Sequence, residues 1–191
     1  MPTTDPIVEP EDHTYVYGSR DDLVKVIEPD FRFIPKDLYR QFVDLMPIVC
    51  VDIVAQDPVN NHVLLIRRDQ NPLKDVMFFP GGRLLRGETF FGAAVRKLRE
   101  ETGLESTAVK VLTVVNTFFD ACEWQTRAGT QTVNVLVHVA VKDSAKVALN
   151  QLHTEHKWVE AETKEVVTER GAEGLNRYVL DGLELLKGSR K

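Results

Sequence analysis

The sequence predicts an α/β protein of the α+β type, in which strands and helices share one core. Runs rich in Val, Ile, Leu and Phe have the length and composition of strands, and three further segments carry helical spacing or helix caps. These elements do not alternate strictly, so the chain is not a series of parallel βαβ units. With 191 residues, 43% of them hydrophobic and 28% charged, the chain is long enough for a sizeable core.

Residues 1–33 are expected to be an N-terminal extension, and residues 34–191 the folded domain. Prolines and frequent acidic residues interrupt the extension. The segment PKDLYRQFVDLM then predicts a helix that begins near Pro35, because proline is favoured at the first helical position. Its expected buried face consists of Leu38, Phe42 and Leu45.

Two strands are predicted next, over residues 47–55 and 62–68. The turn QDPVNN between them suggests an antiparallel pair, and the segment MFFPGG predicts a short strand that ends in a glycine turn. Thr89 is a suitable N-cap and Gly103 a suitable C-terminal stop for a helix of about thirteen residues between them.

The rest of the chain predicts three more strands and a closing helix. Two strands are expected over residues 109–119 and 130–141, joined by the longer loop DACEWQTRAG, and a short strand over residues 156–161. Residues 172–187 predict an amphipathic helix. Its apolar face contains Leu175, Val179, Leu183 and Leu186.

The composition argues against several classes of protein. Lys and Arg number 24 and Asp and Glu 29, a formal net charge of −5, so a broad electrostatic attraction for nucleic acid is not expected. The apolar runs are too short to span a bilayer, and the acidic N-terminus lacks the features of a signal peptide. Cys50 and Cys122 form neither a CxxC pair nor a disulfide framework, so we expect a cytoplasmic protein with free thiols.

A pair of adjacent carboxylates, Glu100 and Glu101, lies on the helix predicted near residues 90–102. Adjacent positions are about 100° apart around a helix, so both carboxylates can border one site. Gly81 and Gly82 let the backbone come close, and a hard cation such as Mg²⁺ takes carboxylate and main-chain oxygens. On charge alone, a solvated helix with ion pairs at four-residue spacing is the favoured alternative.

The spacing of the whole segment PGGRLLRGETFFGAAVRKLREETGL resembles the Nudix box. The fixed positions are met by Gly82, Glu88, Arg96, Leu98, Glu100, Glu101, Gly103 and Leu104. This resemblance implies the Nudix fold, a mixed sheet sandwiched between helices. It also implies hydrolysis of a nucleoside diphosphate linked to another group, with Mg²⁺ or Mn²⁺.

One box position departs from the pattern, because Lys97 stands where the family usually has a glutamate. The ammonium should repel a second metal ion near Glu101, unless its long stem carries the charge away. From about residue 34 onward the chain is similar to one branch, the GDP-mannose mannosyl hydrolases, which also lacks that glutamate. This similarity is carried by LYRQFVDLMPIVCVDIVA, LLIRRDQNPLKDVMFFPGGR, GTQTVN and HTEHKWVEA.

The branch resemblance implies that water attacks the anomeric carbon of a nucleotide sugar, releasing GDP and mannose with inversion. One Mg²⁺ on the diphosphate would help the leaving group, and a homodimer is expected. Glu101 and the Gly81 carbonyl match ligands of that metal. Leu152 stands where the branch has a glutamine ligand, so Gln151 is the candidate for that role. Glu100 is a further candidate ligand, retained from the ordinary box.

The same resemblance assigns the remaining site residues. Arg68 and Arg83 match arginines that hold the leaving diphosphate, and Arg96 matches another active-site arginine. Asp52 matches a functional aspartate on the first core strand. His153 matches a general base that the branch carries in a late loop.

Plainer interpretations stand beside these assignments. Arg96 is equally compatible with a structural pair to Glu88 that braces the loop. Asp52 is equally compatible with a paired structural carboxylate in an apolar strand. Of His153 and His156, one could simply be a surface histidine.

Two alternative functions also remain open. The retained Glu100 favours an ordinary pyrophosphohydrolase that cleaves the phosphoanhydride by attack at phosphorus. Lys97 and Leu152 favour a domain that binds a nucleotide without turning it over. The products formed from a nucleotide sugar would separate these alternatives.

Overall fold

The computed structural model describes residues 34–120, 129–162 and 173–188. The expected N-terminal extension, Cys122 and most of the loop DACEWQTRAG lie outside the described residues. The division of the chain at residue 33 therefore stays a prediction.

The described residues form three α-helices, seven strands and one short 3-10 helix. In chain order they are α1 (Lys36–Leu45), β1 (Ile48–Asp57), β2 (His62–Arg68), β3 (Met77–Phe78), β4 (Gly81–Arg83), α2 (Phe90–Thr102), β5 (Ser106–Phe119), β6 (Thr130–Val141), the 3-10 helix (Ser144–Lys146), β7 (His153–Glu160) and α3 (Glu173–Gly188). The sequence did not predict β4. No helix within these ranges has the length and apolar character needed to cross a membrane.

The seven strands belong to one mixed sheet. Its central order is β3-β2-β1-β6-β5, with β4 paired to β1 and β7 paired to β2. The central strands β1 and β6 run parallel, whereas the other strand pairs are antiparallel. The predicted antiparallel pairing of the first two strands is confirmed.

The strands β1 and β2 pair next to their turn and then separate, which opens a cleft in the sheet. Beyond the turn, β1 pairs with β4, where Asp52 lies opposite Gly81. The strand β2 pairs with β7, where Arg68 lies opposite His153 after a shift in register. The separating strands therefore bring four predicted site residues to the edges of one cleft.

Alternation along β1 sends its side chains to two cores on opposite faces of the sheet. Ile53 belongs to a core that α2 closes with Leu98. Val54 belongs to the other core, which α3 closes with Val179. The sheet therefore lies between α2 and α3. Asp52 lies two residues before Val54 on β1, so the two side chains point to the same face of the sheet. The side chain of Asp52 is therefore directed toward α3.

Helix α2 begins and ends where the sequence predicts. The hydroxyl oxygen of Thr89 accepts a hydrogen bond of 3.0 Å from the N–H of Gly92. Gly103 adopts a left-handed φ of 69°, and its N–H donates to the carbonyl of Arg99. Both caps satisfy backbone groups that lack partners within the helix. The fixed ends hold the charged side chains of α2 in place beside β4.

The close approach of β4 to β1 depends on glycine at position 81. A Cβ atom there would lie 2.3 Å from the carbonyl oxygen of Val51 and 2.7 Å from Oδ1 of Asp52. A side chain at this position would push β4 away from β1 and change the shape of the cleft. Gly81 therefore has a structural role whatever its carbonyl binds.

Two details of the sequence prediction are wrong. On α1, Leu38 and Leu45 are exposed, at 45% and 82%, whereas Val43 is buried. Periodicity identified one apolar face of the helix. The helix instead packs through the adjacent face, whose residues Tyr39 and Val43 line the cleft. The strand predicted to begin at His156 begins at His153, because the chain already pairs there with the end of β2.

Candidate active site

A cavity of about 260 Å³ lies in the cleft between the separated strands. Apolar and aromatic side chains from α1, β3 and the end of β5 form part of its wall. The predicted site residues on the wall are Asp52, Arg68, Gly81, Arg83, Glu101 and His153. The predicted site residues that do not line it are Arg96, Glu100 and Gln151.

Asp52 is a buried carboxylate on the cavity wall. Its Oδ2 accepts a hydrogen bond of 2.6 Å from the hydroxyl of Tyr178 and another from Nδ2 of Asn134. The hydroxyl of Thr132 donates to Oδ1 of Asn134, which fixes the orientation of that amide. Burial raises the pKa of Asp52 to about 6, although the two hydrogen bonds oppose the shift. Asp52 is thus a paired structural carboxylate that also borders the cavity.

Arg68 and Arg83 bring two positive charges to the same cavity from the ends of β2 and β4. The guanidinium of Arg83 lies 4.5 Å from the centroid of the Tyr39 ring. Within the described residues, no carboxylate forms an ion pair with either of these arginines. Arg67, by contrast, binds Glu155 at 3.0 Å and does not line the cavity. Two guanidinium groups are therefore available to an anionic ligand.

Arg96 is a brace rather than part of the cavity wall. Its Nε and Nη2 donate to the two carboxylate oxygens of Glu88 at 2.5 and 2.9 Å. Its Nη1 donates to both oxygens of Glu100 at 3.1 Å, and Nη2 also donates to the carbonyl of Arg83 at 3.1 Å. The guanidinium thus joins two carboxylates and a backbone carbonyl. This arrangement matches the structural pair with Glu88, and a contact of Arg96 with a substrate stays a prediction.

Lys97 turns its ammonium toward the carboxylates of α2. Its Nζ lies 2.7 Å from Oε1 of Glu101 and 3.4 Å from Oε2 of Glu100. The stem of Lys97 lies against Gly82, where an added Cβ would come within 2.8 Å of Cε. The side chain is 16% exposed, so it is enclosed rather than extended into solvent. The stem therefore does not carry the charge away from Glu101.

The other oxygen of Glu101 is also engaged, because the N–H of Gly81 donates to Oε2 at 2.9 Å. A resident Mg²⁺ takes oxygen ligands at about 2.0–2.1 Å in near-octahedral geometry. Glu100 faces Arg96 and Lys97, and Gln151 is exposed. Among the described residues, no group of three or more His, Cys, Asp or Glu side chains could hold a metal. The expected ligand set is not assembled, so these residues as placed do not fit the ion.

His153 is buried at the start of β7 and lines the cavity. Its Nε2 lies 4.0 Å from Oε2 of Glu101, and its Nδ1 lies 2.8 Å from Oδ1 of Asn150. Burial lowers the pKa of His153, and the positive charges of Arg68 and Lys97 lower it further against the opposing charge of Glu101. The neutral form is therefore favoured, as a general base requires.

The side chain of Asn150 determines which nitrogen of His153 carries the proton. Its Oδ1 accepts from the backbone N–H of Leu152 at 3.0 Å, and its Nδ2 donates to the carbonyl of Glu100 at 3.1 Å. These two backbone partners leave only one orientation for the amide. Oδ1 therefore faces Nδ1 of His153, which must donate. In the neutral ring, Nε2 then carries the lone pair and faces Glu101.

Three residues of the site were missed by sequence reasoning. Asn150, Asn134 and Tyr178 contribute through hydrogen bonds to predicted residues rather than through a motif of their own. The only signal for Asn134 is its position as a polar residue inside an apolar strand, where it must have a partner. Nothing in the sequence indicated Tyr178, because its partner lies 126 positions away.

A comparison with protein-family models matches residues 46–179 of the chain to the NUDIX domain. This range covers all seven described strands, all of α2 and part of α3. The chain belongs to the NUDIX domain family. The expectation drawn from the box is thereby confirmed at the level of the family.

Two relatives of this NUDIX domain are archaeal proteins. The ADP-ribose pyrophosphatase of Methanocaldococcus jannaschii is 44% identical over 70 residues, which cover 36% of this chain and 40% of that protein. The low-salt glycan biosynthesis protein Agl8 of Haloferax volcanii is 32% identical over 90 residues, which cover 47% of this chain and 56% of that protein. The matched segments thus span about half the length of these relatives.

The fold of this NUDIX domain is shared with solved structures. A MutT protein from Methanosarcina mazei superimposes with a TM-score of 0.56 at 22% identity, covering 76% of this chain and 97% of that chain. At this identity the likeness concerns the fold alone. It confirms the predicted fold class, a mixed sheet with helices on both faces.

Proposed function

We propose that this NUDIX domain hydrolyses a nucleoside diphosphate sugar by water attack at the anomeric carbon. The observation that carries the proposal is the placement of His153 at the cavity wall, with Nε2 as the unprotonated nitrogen of the neutral ring. The carboxylates of α2 are less suited to act as a base, because Glu100 is held by Arg96 and Glu101 by Lys97. The similarity to the GDP-mannose mannosyl hydrolase branch supports the same chemistry.

In the proposed reaction, Nε2 of His153 accepts a proton from a water molecule as its oxygen attacks the anomeric carbon. The bond from that carbon to the diphosphate oxygen breaks, and the bonding electrons leave with the diphosphate. The products are a nucleoside diphosphate and a free sugar of inverted configuration. Arg68 and Arg83 stabilise the charge that develops on the departing oxygen, because they reach the same cavity without carboxylate partners in the described residues.

Asp52 has a supporting part in this proposal. Two hydrogen bonds fix its Oδ2, and the carboxyl remains on the cavity wall. With a pKa of about 6 the carboxyl is mostly ionised at neutral pH and can accept hydrogen bonds from sugar hydroxyls. Its assigned contribution is therefore to bind and orient the sugar, not to transfer the proton.

A second candidate function is pyrophosphohydrolysis by attack at phosphorus. It is favoured by the 44% identity with an ADP-ribose pyrophosphatase over 70 residues. Glu100, which the ordinary box uses, is also present and partly exposed. Under this alternative, ADP-ribose would yield AMP and a ribose phosphate.

The deciding experiment measures products from GDP-mannose, other nucleotide sugars and ADP-ribose in water enriched in heavy oxygen. Our proposal requires a nucleoside diphosphate and a free sugar that carries the heavy oxygen. Heavy oxygen in a phosphate product would establish the second candidate instead. Tight binding of these compounds without any product would reject both reactions in favour of a nucleotide-binding domain.

A further inference from the structure

We infer that Lys97 is a built-in counter-ion which lets this site bind a nucleoside diphosphate without a divalent metal. The inference deepens the proposed function and rests on its diphosphate site. The family is expected to bind a metal, but the charged side chains around α2 are not arranged to hold one.

A negative charge lies next to the cavity. Glu101 is buried and lines the cavity, so its negative charge would repel a diphosphate bound there. The ammonium of Lys97 lies 2.7 Å from Oε1 of Glu101, and the N–H of Gly81 satisfies the other oxygen. The carboxylate is therefore balanced by the chain itself. A divalent ion is not needed to remove the repulsion.

The carboxylates of α2 leave little room for an added ion. Mg²⁺ bound by Glu101 would lie close to the ammonium of Lys97, which already occupies Oε1, and Glu100 is also drawn to Arg96 and Lys97. Two positive charges already face these two carboxylates. An added cation would meet repulsion from both and would compete with the existing ion pairs.

The surroundings of Lys97 favour this position of its side chain. Its stem lies against Gly82, where the absence of a Cβ leaves room for Cε, and the side chain is largely enclosed. A lysine on an open surface would lose side-chain entropy to hold one contact. Here the backbone of β4 and two carboxylates define its place. The arrangement is a fixed part of the site.

Two other positively charged side chains are placed to contact the ligand. Arg68 and Arg83 line the cavity, and neither has a carboxylate partner within the described residues. With Glu101 balanced by Lys97, these guanidinium groups act on the diphosphate without an opposing charge between them. Lys97 is accordingly a positioning and charge-balancing residue rather than a catalytic one.

The test is calorimetric binding of GDP and ADP to the full chain, in buffer with EDTA and in buffer with Mg²⁺. For the unaltered protein we expect dissociation constants that agree within about twofold in the two buffers. Binding that is at least about tenfold tighter with Mg²⁺, or absent in both buffers, would overturn the inference. This comparison needs no substitution, so a folding defect cannot confuse it.

Two variants sharpen the result. Lys97→Glu should weaken binding in EDTA by at least about tenfold and should regain it with Mg²⁺, because the site then needs an external cation. Lys146→Glu is the matched control, since it makes the same charge reversal at an exposed ion pair with Asp143 and should change nothing. A Lys97→Glu variant that binds normally in EDTA, with an unchanged melting temperature, would contradict the role of Lys97.

Failure of this inference is separable from failure of the proposed reaction. Equal binding in both buffers without product formation would reject the hydrolysis but retain the role of Lys97. Formation of a free sugar with strictly Mg²⁺-dependent binding would retain the hydrolysis and reject the built-in counter-ion.

Discussion

The hydroxyl of Tyr178 on α3 donates a hydrogen bond of 2.6 Å to Oδ2 of Asp52 on β1. This contact joins the last helix to the first strand at the wall of the cavity. The Tyr178 ring is stacked on Phe78, with centroids 5.0 Å apart, so its hydroxyl is held in place by packing. The final helix therefore contributes directly to the polar wall of the candidate site.

The stability of the protein should depend on the titration of Asp52. Its folded-state pKa of about 6 lies above the ordinary value of 3.8. Between these values the folded state binds more protons than the unfolded state, so the free energy of unfolding falls as pH rises from about 4 to about 6. Glu101 contributes to the upward shift and Arg68 opposes it. In Asp52→Asn this pH-dependent part of the unfolding free energy should disappear. Urea denaturation at several pH values should then give a flatter profile of unfolding free energy against pH.

Tyr178→Phe serves as the companion variant for Asp52. It keeps the ring stacked on Phe78 and removes one hydrogen bond that lowers the pKa of Asp52. The fall in stability should then extend to higher pH than in the parent protein. A parent profile that is flat between pH 4 and 6, or one that Asp52→Asn leaves unchanged, would show that the carboxyl titrates normally.

Removal of Arg96 should destabilise the fold rather than weaken ligand binding alone. In Arg96→Ala, Glu88 loses its cation while only 12% of its side chain is exposed. We expect a loss of about 2 kcal/mol in the free energy of unfolding, reduced from the value for fully buried pairs because Arg96 is partly exposed. Arg177→Ala is the control, because its pair with Asp181 is exposed and should contribute less than about 1 kcal/mol.

The outcome for Arg96 also separates its two interpretations. A brace predicts lower stability with a KM that changes little once the folded fraction is taken into account. If stability were unchanged and KM rose sharply, Arg96 would be a ligand-binding residue, as the resemblance implies. Arg96→Lys should behave more like the alanine variant than a conservative change, because one ammonium cannot replace the forked contacts to Glu88 and Glu100.

The sequence predicted those parts of the fold that depend on neighbouring residues. The caps Thr89 and Gly103 use local backbone groups, so both ends of α2 were predicted correctly. The contact between Tyr178 and Asp52 depends on how α3 crosses the sheet, which no local pattern contains. The face of α1 was predicted incorrectly because periodicity gives the spacing of apolar residues but not what covers them.

In the candidate site, too, the sequence predicted residues of a local motif but not the contacts between distant segments. The box motif located Glu101, and the resemblance to the branch located Arg68, which lines the cavity. The direction of Lys97 was open, because a lysine stem can reach either solvent or a neighbouring carboxylate. Its contact with Glu101 depends on the packing of the stem against Gly82, a feature of β4 that the sequence did not predict.

Asn150 should control the tautomer of His153. In the parent protein, nitrogen-15 NMR should find the neutral His153 ring protonated at Nδ1, because the amide oxygen of Asn150 faces that atom. Asn150→Ala should produce a mixture of tautomers and lower kcat by roughly 10²-fold, since the base is then misplaced. A purely structural role would lower the melting temperature but leave the tautomer unchanged. Detection of the Nε2-protonated form in the parent protein would reject this role.

His153→Ala tests the general base of the proposed reaction. The variant should lose roughly 10²-fold to 10⁴-fold in kcat, the usual contribution of a positioned base, while GDP affinity changes little. His156→Ala is the matched control, because His156 lies three residues further along the same strand and is exposed. Its kcat should stay within about twofold of the parent value.

The two histidine variants distinguish the reaction at carbon from the reaction at phosphorus. Only His153 lines the cavity, so a loss of kcat confined to His156→Ala would contradict the geometry of the site. If both variants kept the parent rate, neither imidazole would accept the proton. A carboxylate would then have to do so, and Glu100 is the candidate because its side chain is 44% exposed. Since Glu100 belongs to the ordinary box, that result would favour attack at phosphorus, with heavy oxygen from water expected in a phosphate product.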